Sequence, residues 1–426
     1  MKSRLSTFLE SQNLLSSSQF GFRQGRGTSD AILQLTEIIT TEVDQNKKCL
    51  AVFLDLAKAF DTVSHKILLA KLHNIGVRGL ALQWFEDYFR NRTQAVRLGS
   101  TLSDSKFVTY GVPQGTVLAP LLFLIYVNSL FNLPISGKII SFADDTAIVW
   151  TGDTWEDVYG LASREMEIVK RHLDSILLSL NVNKTDSMAF STSRLPDPAR
   201  HSLFIHTCLD RQNCGCLPVN LSSKVKYLGI FLDSKLKWYH QITHLNKRLR
   251  KTIFLFKELS HLLDRRIVMQ AYYSLCQSLL TYGNLGWGGT HKTLLDPLIK
   301  TQKLILKIIF HRPHLYSSTL LFRESGVLDV RQLYIKHSLI HFQKHRQQAL
   351  LRQHDHNTRH QSLNLHPRMN TSFGQRDYKF LAPKLHNNLT EEIRTLHSHS
   401  KFKKAVHRWI QDLGNEGSEQ LLAIQR

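Results

Sequence analysis

Ser141-Phe142-Ala143-Asp144-Asp145-Thr146 lies where one apolar run, Ile139 to Ala143, gives way to another, Ala147-Ile148-Val149-Trp150. Two short apolar runs parted by a polar pair form a β-hairpin pattern, with the acids at its tip. Adjacent aspartates there have two explanations. Asp tolerates turn geometry and solvation, or the pair carries chemistry; the hairpin alone leaves both open.

Working outward, Cys49-Leu50-Ala51-Val52-Phe53-Leu54-Asp55 is a continuous apolar run that suits a buried strand ending in an acid. Helical patterns follow over His65–Ile75, stopped by Gly76, and over Leu80–Arg90, with Trp84, Phe85, Tyr88 and Phe89 on one face. Thr93–Leu98 and Phe107–Tyr110 have the pattern of a second hairpin. Beyond Gly111-Val112-Pro113-Gln114-Gly115, Pro120 suits the first turn of an apolar helix, Leu121–Phe131. After the Asp-Asp hairpin a long helix is expected over Glu156–Leu180, entered by Thr154 with Asp157 as a capping-box variant, and then a strand, Ser187–Phe190. Strand, helices, strand, strand, helix, strand is the split βαβ order of a ferredoxin-like sheet. That topology puts the second hairpin strand beside the first strand, so Asp55 lands next to Asp144 and Asp145.

Carboxylates gathered this closely repel, and they persist where a cation sits among them. Hard oxygen donors favour Mg²⁺, which keeps waters and binds substrate phosphates. Two such ions roughly 3.5–4 Å apart serve in-line phosphoryl transfer, so the cluster points to a nucleotidyl transferase or a nuclease. Composition agrees. Lys and Arg number 55 against 34 acids, a net +21 over 426 residues, which suggests a polyanionic partner, nucleic acid first, with a membrane surface or plain solubility as the other readings. A hydrophobic content of 42% with 9% aromatics excludes a disordered chain. No secretory signal opens the sequence, and the longest apolar run, Leu118–Val127, is too short to span a bilayer. The five scattered cysteines fit a reducing compartment. Cys208, Cys214 and Cys216, with His201 and His206 nearby, raise the question of zinc, although their spacing matches no common finger or knuckle.

Six blocks in order resemble the reverse transcriptase domain of non-LTR, LINE-type retrotransposons of the jockey-like group, over roughly residues 19 to 240. They are Gln19-Phe20-Gly21-Phe22-Arg23 through Thr28-Ser29-Asp30-Ala31; Phe53-Leu54-Asp55-Leu56-Ala57-Lys58-Ala59-Phe60-Asp61; Gly111-Val112-Pro113-Gln114-Gly115-Thr116; Phe142-Ala143-Asp144-Asp145; Leu180-Asn181-Val182-Asn183-Lys184-Thr185; and Tyr227-Leu228-Gly229-Ile230. The resemblance implies an α+β right-hand polymerase. Its expected parts are partial fingers over 1–46, a ferredoxin-like antiparallel palm over 47–192, an insertion or loop over 193–223, a primer-grip region over 224–240, a helical thumb over 241–290 and a basic helical region over 291–426.

The implied reaction is addition of dNTPs to a DNA primer 3′-hydroxyl on an RNA template, with two Mg²⁺ ions or, in their place, Mn²⁺. Asp55 and Asp144 would ligate both metals and Asp145 would support them. Phe60 would lie under the incoming sugar and exclude a ribose 2′-hydroxyl; ordinary core packing is its other reading. Gln114 and Gly115 would lie against the nascent pair, or simply form a turn before the Pro-capped helix. Lys184 would protonate the departing pyrophosphate, or be a solvated surface lysine. Arg23 and Arg26 could meet triphosphate oxygens, or face water from their loop. Tyr227, Leu228 and Gly229 would grip the primer.

Further along, Ile242–Leu263 carries Lys247, Arg248, Arg250 and Lys251 and resembles a thumb that follows a duplex backbone. Thr281-Tyr282-Gly283 with Trp287-Gly288 resembles a segment that follows the thumb in the same elements. His337, His341 and His345 share a helix face; that spacing could bind a metal, but nearby Lys336, Lys344 and Arg346 oppose it, and the three are expected at the surface or toward RNA. Phe402 to Trp409 mixes aromatic and basic residues in the manner of an RNA contact. A full element has an endonuclease ahead of the polymerase, so the chain is expected to be the C-terminal part of a longer polyprotein or a truncated copy. An intracellular ribonucleoprotein of nucleus and cytoplasm is implied, with no membrane partner. The competing expectations are an inactive remnant that only binds nucleic acid and an intron-maturase-type reverse transcriptase.

Overall fold

Every residue of Lys48–Leu54 after Lys48 is buried, so this apolar strand has to be central, with neighbours on both edges. The computed structural model describes residues 1–190, 201–208, 214–345 and 367–423. Its strands in chain order are β1 (Lys48–Leu54), β2 (Thr93–Gln94), β3 (Arg97–Leu98), β4 (Thr101–Leu102), β5 (Lys106–Phe107), β6 (Lys138–Phe142), β7 (Asp145–Gly152), β8 (Asp186–Phe190), β9 (Asn220–Leu221), β10 (Lys224–Tyr227) and β11 (Ile230–Asp233). Two compact units are formed, one from Met1–Ala31 with Lys47–Ser223 and the other from Ile32–Asn46 with Lys224–Arg426.

In the first unit the sheet order is β6-β7-β1-β8-β9. Strand β1 runs antiparallel to both β7 and β8, and β6 pairs with β7 as a hairpin. This is the expected split βαβ arrangement, with the second hairpin strand between the first strand and its partner. The helix Trp155–Ser175 starts as its cap requires, Thr154 Oγ1 accepting the Asp157 N–H at 3.1 Å. Val158, Ala162, Met166, Val169 and Leu173 repeat along it every three or four residues and share a core with Leu50, Val52, Ile148 and Trp150. It ends at Ser175 rather than Leu180, since Leu177 takes a positive φ and Ser179 O turns to accept from Ala57 N at 2.9 Å. Glu165, on the same helix, ties down the base of the hairpin by accepting from Trp150 Nε1 at 2.7 Å and from the Ser136 and Gly137 amides at 3.0 Å. Burial opposes its charge, but these donors outweigh burial and hold the carboxyl below the usual range.

Two sequence expectations need correction here. The second hairpin shrinks to the two-residue ladders β2–β5 and β3–β4, all exposed, and Tyr110 stands outside them. The 193–223 stretch is more than a loop: Leu203, Ile205 and Val219 are buried in the core, and β9 adds a parallel edge to β8. Of this stretch, residues 193–200 and 209–213 lie outside the described residues.

The second unit is mainly helical. Its helix Tyr239–Leu262 packs beside Lys292–Ile309, where Thr301 Oγ1 donates to Asn246 Oδ1 at 2.7 Å. Residues 32–44 of the helix Thr28–Asp44 belong to this unit, Leu33 packing with Leu285, Phe342, Tyr378 and Ala382. The histidines of Val330–His345 are not a surface row. His337 is held against Asn284 Oδ1 at 3.2 Å, and His341 against the Tyr378 hydroxyl at 2.7 Å. Desolvation, with Lys336 and Lys403 adding to it, takes His337 down to about 4, so it is a neutral packing group at physiological pH. Within His399–Leu422, Phe402 is likewise core, and of Phe402 to Trp409 Lys403, Lys404 and Arg408 are the exposed residues. Among the described residues no helix is long and apolar enough to cross a membrane.

Candidate active site

Register decides the site. Strand β1 pairs with β7 down to Leu54 opposite Thr146, which sets the next residue, Asp55, opposite Asp145. The β6–β7 pairing ends with Phe142 opposite Asp145, leaving Ala143-Asp144 as a two-residue turn. The acids therefore occupy the tip and the first strand position, and Asp55 joins them at one end of the sheet. Asp55 and Asp144 are half-buried, and Asp145 reaches solvent. Protein packed around the Asp145 carboxyl, then the negative charges of Asp144 and Asp55, raise it above the ordinary carboxylate range.

The turn is strained and braced. Ala143 has a φ of 61°, a left-handed value that costs a residue with a Cβ roughly 1–2 kcal/mol. Buried Gln19 supports it: Oε1 accepts from both Ala143 N and Gly21 N at 2.9 Å, while Nε2 donates to Ser141 Oγ at 3.1 Å. Phe20 N donates to Ser141 O at 2.8 Å and Ser141 N to Ser18 O at 3.0 Å, so the entry loop lies along β6. Gly21 cannot be replaced cheaply, because a Cβ there would stand 2.4 Å from Ala143 N. The first block is thus a brace for the acidic turn. Sequence reasoning named these residues but gave neither Gln19 nor Gly21 this role. A glutamine and a glycine in a polar loop carry no local sign of it.

Asp55 is clamped from its other side. Asn181 N donates to Asp55 O at 2.8 Å, and Thr185 Oγ1 accepts from Asp55 N at 3.4 Å while donating to Asn181 O at 2.9 Å. Buried Thr185 closes the fifth block and has no expected role of its own, whereas the side chain of neighbouring Lys184 is exposed. Phe60 is half-buried with its ring stacked on Phe123 at 4.2 Å and edge-on to Phe22 at 6.3 Å. Gln114 is exposed and donates to Asp61 Oδ1 at 2.7 Å; Gly115 has a φ of 79° and open space around it. Val112 N donates to Phe60 O at 2.9 Å, which holds the Gln114 loop beside the Phe60 segment.

Arg23 departs from the expected triphosphate contact. Its side chain is 6% exposed and forms a bidentate pair with Glu10, Nη2–Oε2 at 2.6 Å and Nε–Oε1 at 2.9 Å, while Nη1 donates to Ser16 O at 2.5 Å. A planar fork spent on one carboxylate and the loop backbone is structural. Arg26 also donates to loop carbonyls, those of Ser17 and Gln19, and lies over the Phe20 ring.

In the second unit, Tyr227 ends β10 and Leu228-Gly229 forms the turn to β11, both with positive φ, as a two-residue hairpin turn requires. The Tyr282 hydroxyl donates to Leu228 O at 2.7 Å, and Trp287 Nε1 holds Tyr282 O at 3.1 Å. The Tyr-Gly…Trp-Gly segment therefore supports this turn. On Tyr239–Leu262, Lys247, Arg248, Arg250 and Lys251 are all exposed.

Both charges that act on Asp145 are negative, and the donors are carboxylate oxygens, a set that a divalent cation satisfies. Residues 1–232 match the family model described as reverse transcriptase (RNA-dependent DNA polymerase). A probable RNA-directed DNA polymerase from transposon BS of Drosophila melanogaster is 26% identical over 354 residues, covering 79% of this chain and 37% of that protein. An RNA-directed DNA polymerase from mobile element jockey of Drosophila funebris is 25% identical over 245 residues, 55% of this chain and 25% of that one. A solved telomerase of Candida albicans aligns with 97% of this chain and 58% of its own at 12% identity and a TM-score of 0.44, too loose a likeness to build on. The chain spans well under half the length of these two curated relatives. It belongs to the reverse transcriptase (RNA-dependent DNA polymerase) family, on the non-LTR, LINE-type retrotransposon branch.

Proposed function

We propose that this chain extends a DNA primer 3′-hydroxyl with dNTPs on an RNA template. The observation that carries the reading is the strand register that gathers Asp55, Asp144 and Asp145 at one sheet end. Two Mg²⁺ ions held by these carboxylates would lower the barrier to phosphoryl transfer by activating the attacking oxygen and stabilising the leaving one.

The chain's own residues supply the rest. The half-buried Phe60 ring, backed by Phe123, would exclude a 2′-hydroxyl. Gln114 and Gly115 would lie along the nascent pair, with Gln114 oriented by Asp61. Exposed Lys184 would donate a proton to the departing pyrophosphate. Residues 47–192 would serve as palm, 1–46 as partial fingers, 224–240 as primer grip and 241–290 as thumb. The exposed cations of Tyr239–Leu262 suit sequence-independent contact with a duplex backbone.

Primer extension on poly(rA)/oligo(dT) tests the reading, comparing the chain with Asp144→Ala. Incorporation by the parent and a loss of at least about a thousandfold in the variant is expected, given what electrostatic stabilisation contributes. Template binding without incorporation by the parent would identify a remnant that only binds nucleic acid.

A further inference from the structure

His206, Cys208, Cys214 and Cys216 lie on two chain arms that the fold brings together. Leu203 and Ile205 anchor one arm in the core, and Val219 anchors the other. The arms run antiparallel, with Phe204 bridged to Pro218 and Val219 N donating to Leu203 O at 2.8 Å. Continuing that register sets His206 opposite Cys216 and Cys208 opposite Cys214. Alternate residues of an extended arm share a face, so all four side chains are presented on one side. The structure bears this out. One ligand atom from each of the four lies within 4.8 Å of all the others. His206 Nδ1 is 3.1 Å from Cys214 Sγ, and Cys208 Sγ is 3.2 Å from Cys214 Sγ.

We propose that these four residues form a tetrahedral Zn²⁺ site of the Cys₃His type. Zinc–sulfur bonds near 2.3 Å put sulfurs about 3.8 Å apart around a tetrahedron, so ligation needs only a small expansion of the cluster. Backbone donors that steady thiolates are in place: Thr207 N–H meets Cys216 Sγ at 3.3 Å, and Cys216 N–H meets Cys214 Sγ at 3.4 Å. On binding, the three thiols release their protons to solvent and the imidazole binds neutral. No electron is transferred. The closed four-ligand set assigns the ion a structural role, tying the ends of the two arms. One wall of the groove beside them is Asn181, Val182 and Asn183, from the segment whose backbone clamps Asp55. This proposal is independent of polymerase activity, which its test does not read.

The test uses the full chain, freed of any affinity tag and reduced, then equilibrated separately with Zn²⁺ and with Co²⁺ and dialysed. One zinc per chain is expected. The cobalt form should show intense thiolate charge-transfer absorption and the strong visible bands of tetrahedral coordination. The triple variant Cys208→Ser/Cys214→Ser/Cys216→Ser should lose both signals. Failure to retain metal, metal content unchanged in the triple variant, or a peptide cross-linked through Cys208 and Cys214 in a digest of freshly isolated, unreduced protein would each overturn the site. If the triple variant does not fold, the parent's cobalt spectrum decides: three thiolates uphold the proposal and fewer reject it.

Discussion

Gln19 concentrates much of the site's order in one side chain. It satisfies two buried N–H groups, those of Gly21 and Ala143, and holds Ser141 beneath the turn. Gln19→Ala leaves both donors unpaired, and each unpaired buried group costs roughly 1–3 kcal/mol. We expect urea unfolding to register a loss of about 2–4 kcal/mol, and kcat to fall more than KM rises, since the acids lose their fixed turn while substrate contacts remain. Unchanged stability would show that the turn holds itself. Phe60 tests selectivity rather than order. Phe60→Ala should raise rNTP relative to dNTP incorporation roughly tenfold or more, judged by kcat/KM for the paired substrates. Equal selectivity in parent and variant would leave Phe60 as a packing residue on Phe123 and nothing else.

Among the elements, the helix Thr28–Asp44 carries a clear pH signature. Burial first, and then the neighbouring charge of Asp377, push the Glu37 carboxyl up to about 7, with Lys379 opposing. An acid whose folded pKa is raised binds its proton more tightly in the native state. Stability is therefore greatest below the unfolded value and declines as pH rises from about 4.5 to about 7, where the native carboxyl finally ionises. The decline should be on the order of 3 kcal/mol from Glu37, and Glu37→Gln should remove that share in melts run across the window, leaving the share of Asp377, whose carboxyl burial pushes up to about 6. A curve of the same slope in the variant would place the proton elsewhere. The same helix shows how elements mislead when read alone. Its apolar period is visible in the sequence, but period does not say what covers a face, and Val330–His345 is buried on several sides with no single apolar stripe. His341 pairs with Tyr378, from a helix more than thirty residues further on.

For the whole molecule, the division into units does not follow chain order, because residues 32–46 belong with 224–426. The matched stretch 1–232 therefore omits the partners of Leu33, namely Leu285, Phe342, Tyr378 and Ala382. It also omits the Asn370 and Thr371 amides that Asp44 accepts at 2.8 and 2.9 Å. A fragment ending at residue 232 should expose this apolar face, binding a hydrophobic dye and self-associating where the full chain does neither. A monodisperse, dye-free fragment would count against the division. Much of this was legible from local features: apolar runs set the strand order, and strand order set which acids converge. The identity of Asp55, Asp144 and Asp145, the α+β class and the basic helix faces all depend on residue type and short-range period, which a sequence states directly. Tertiary structure alone decided that Gln19 braces the turn, that Arg23 is held by Glu10, that His337 is half-buried and neutral, and that His206 rather than His201 meets the three cysteines. Each of these depends on a partner brought near by the path of the backbone, and no local pattern encodes which distant residue that partner will be.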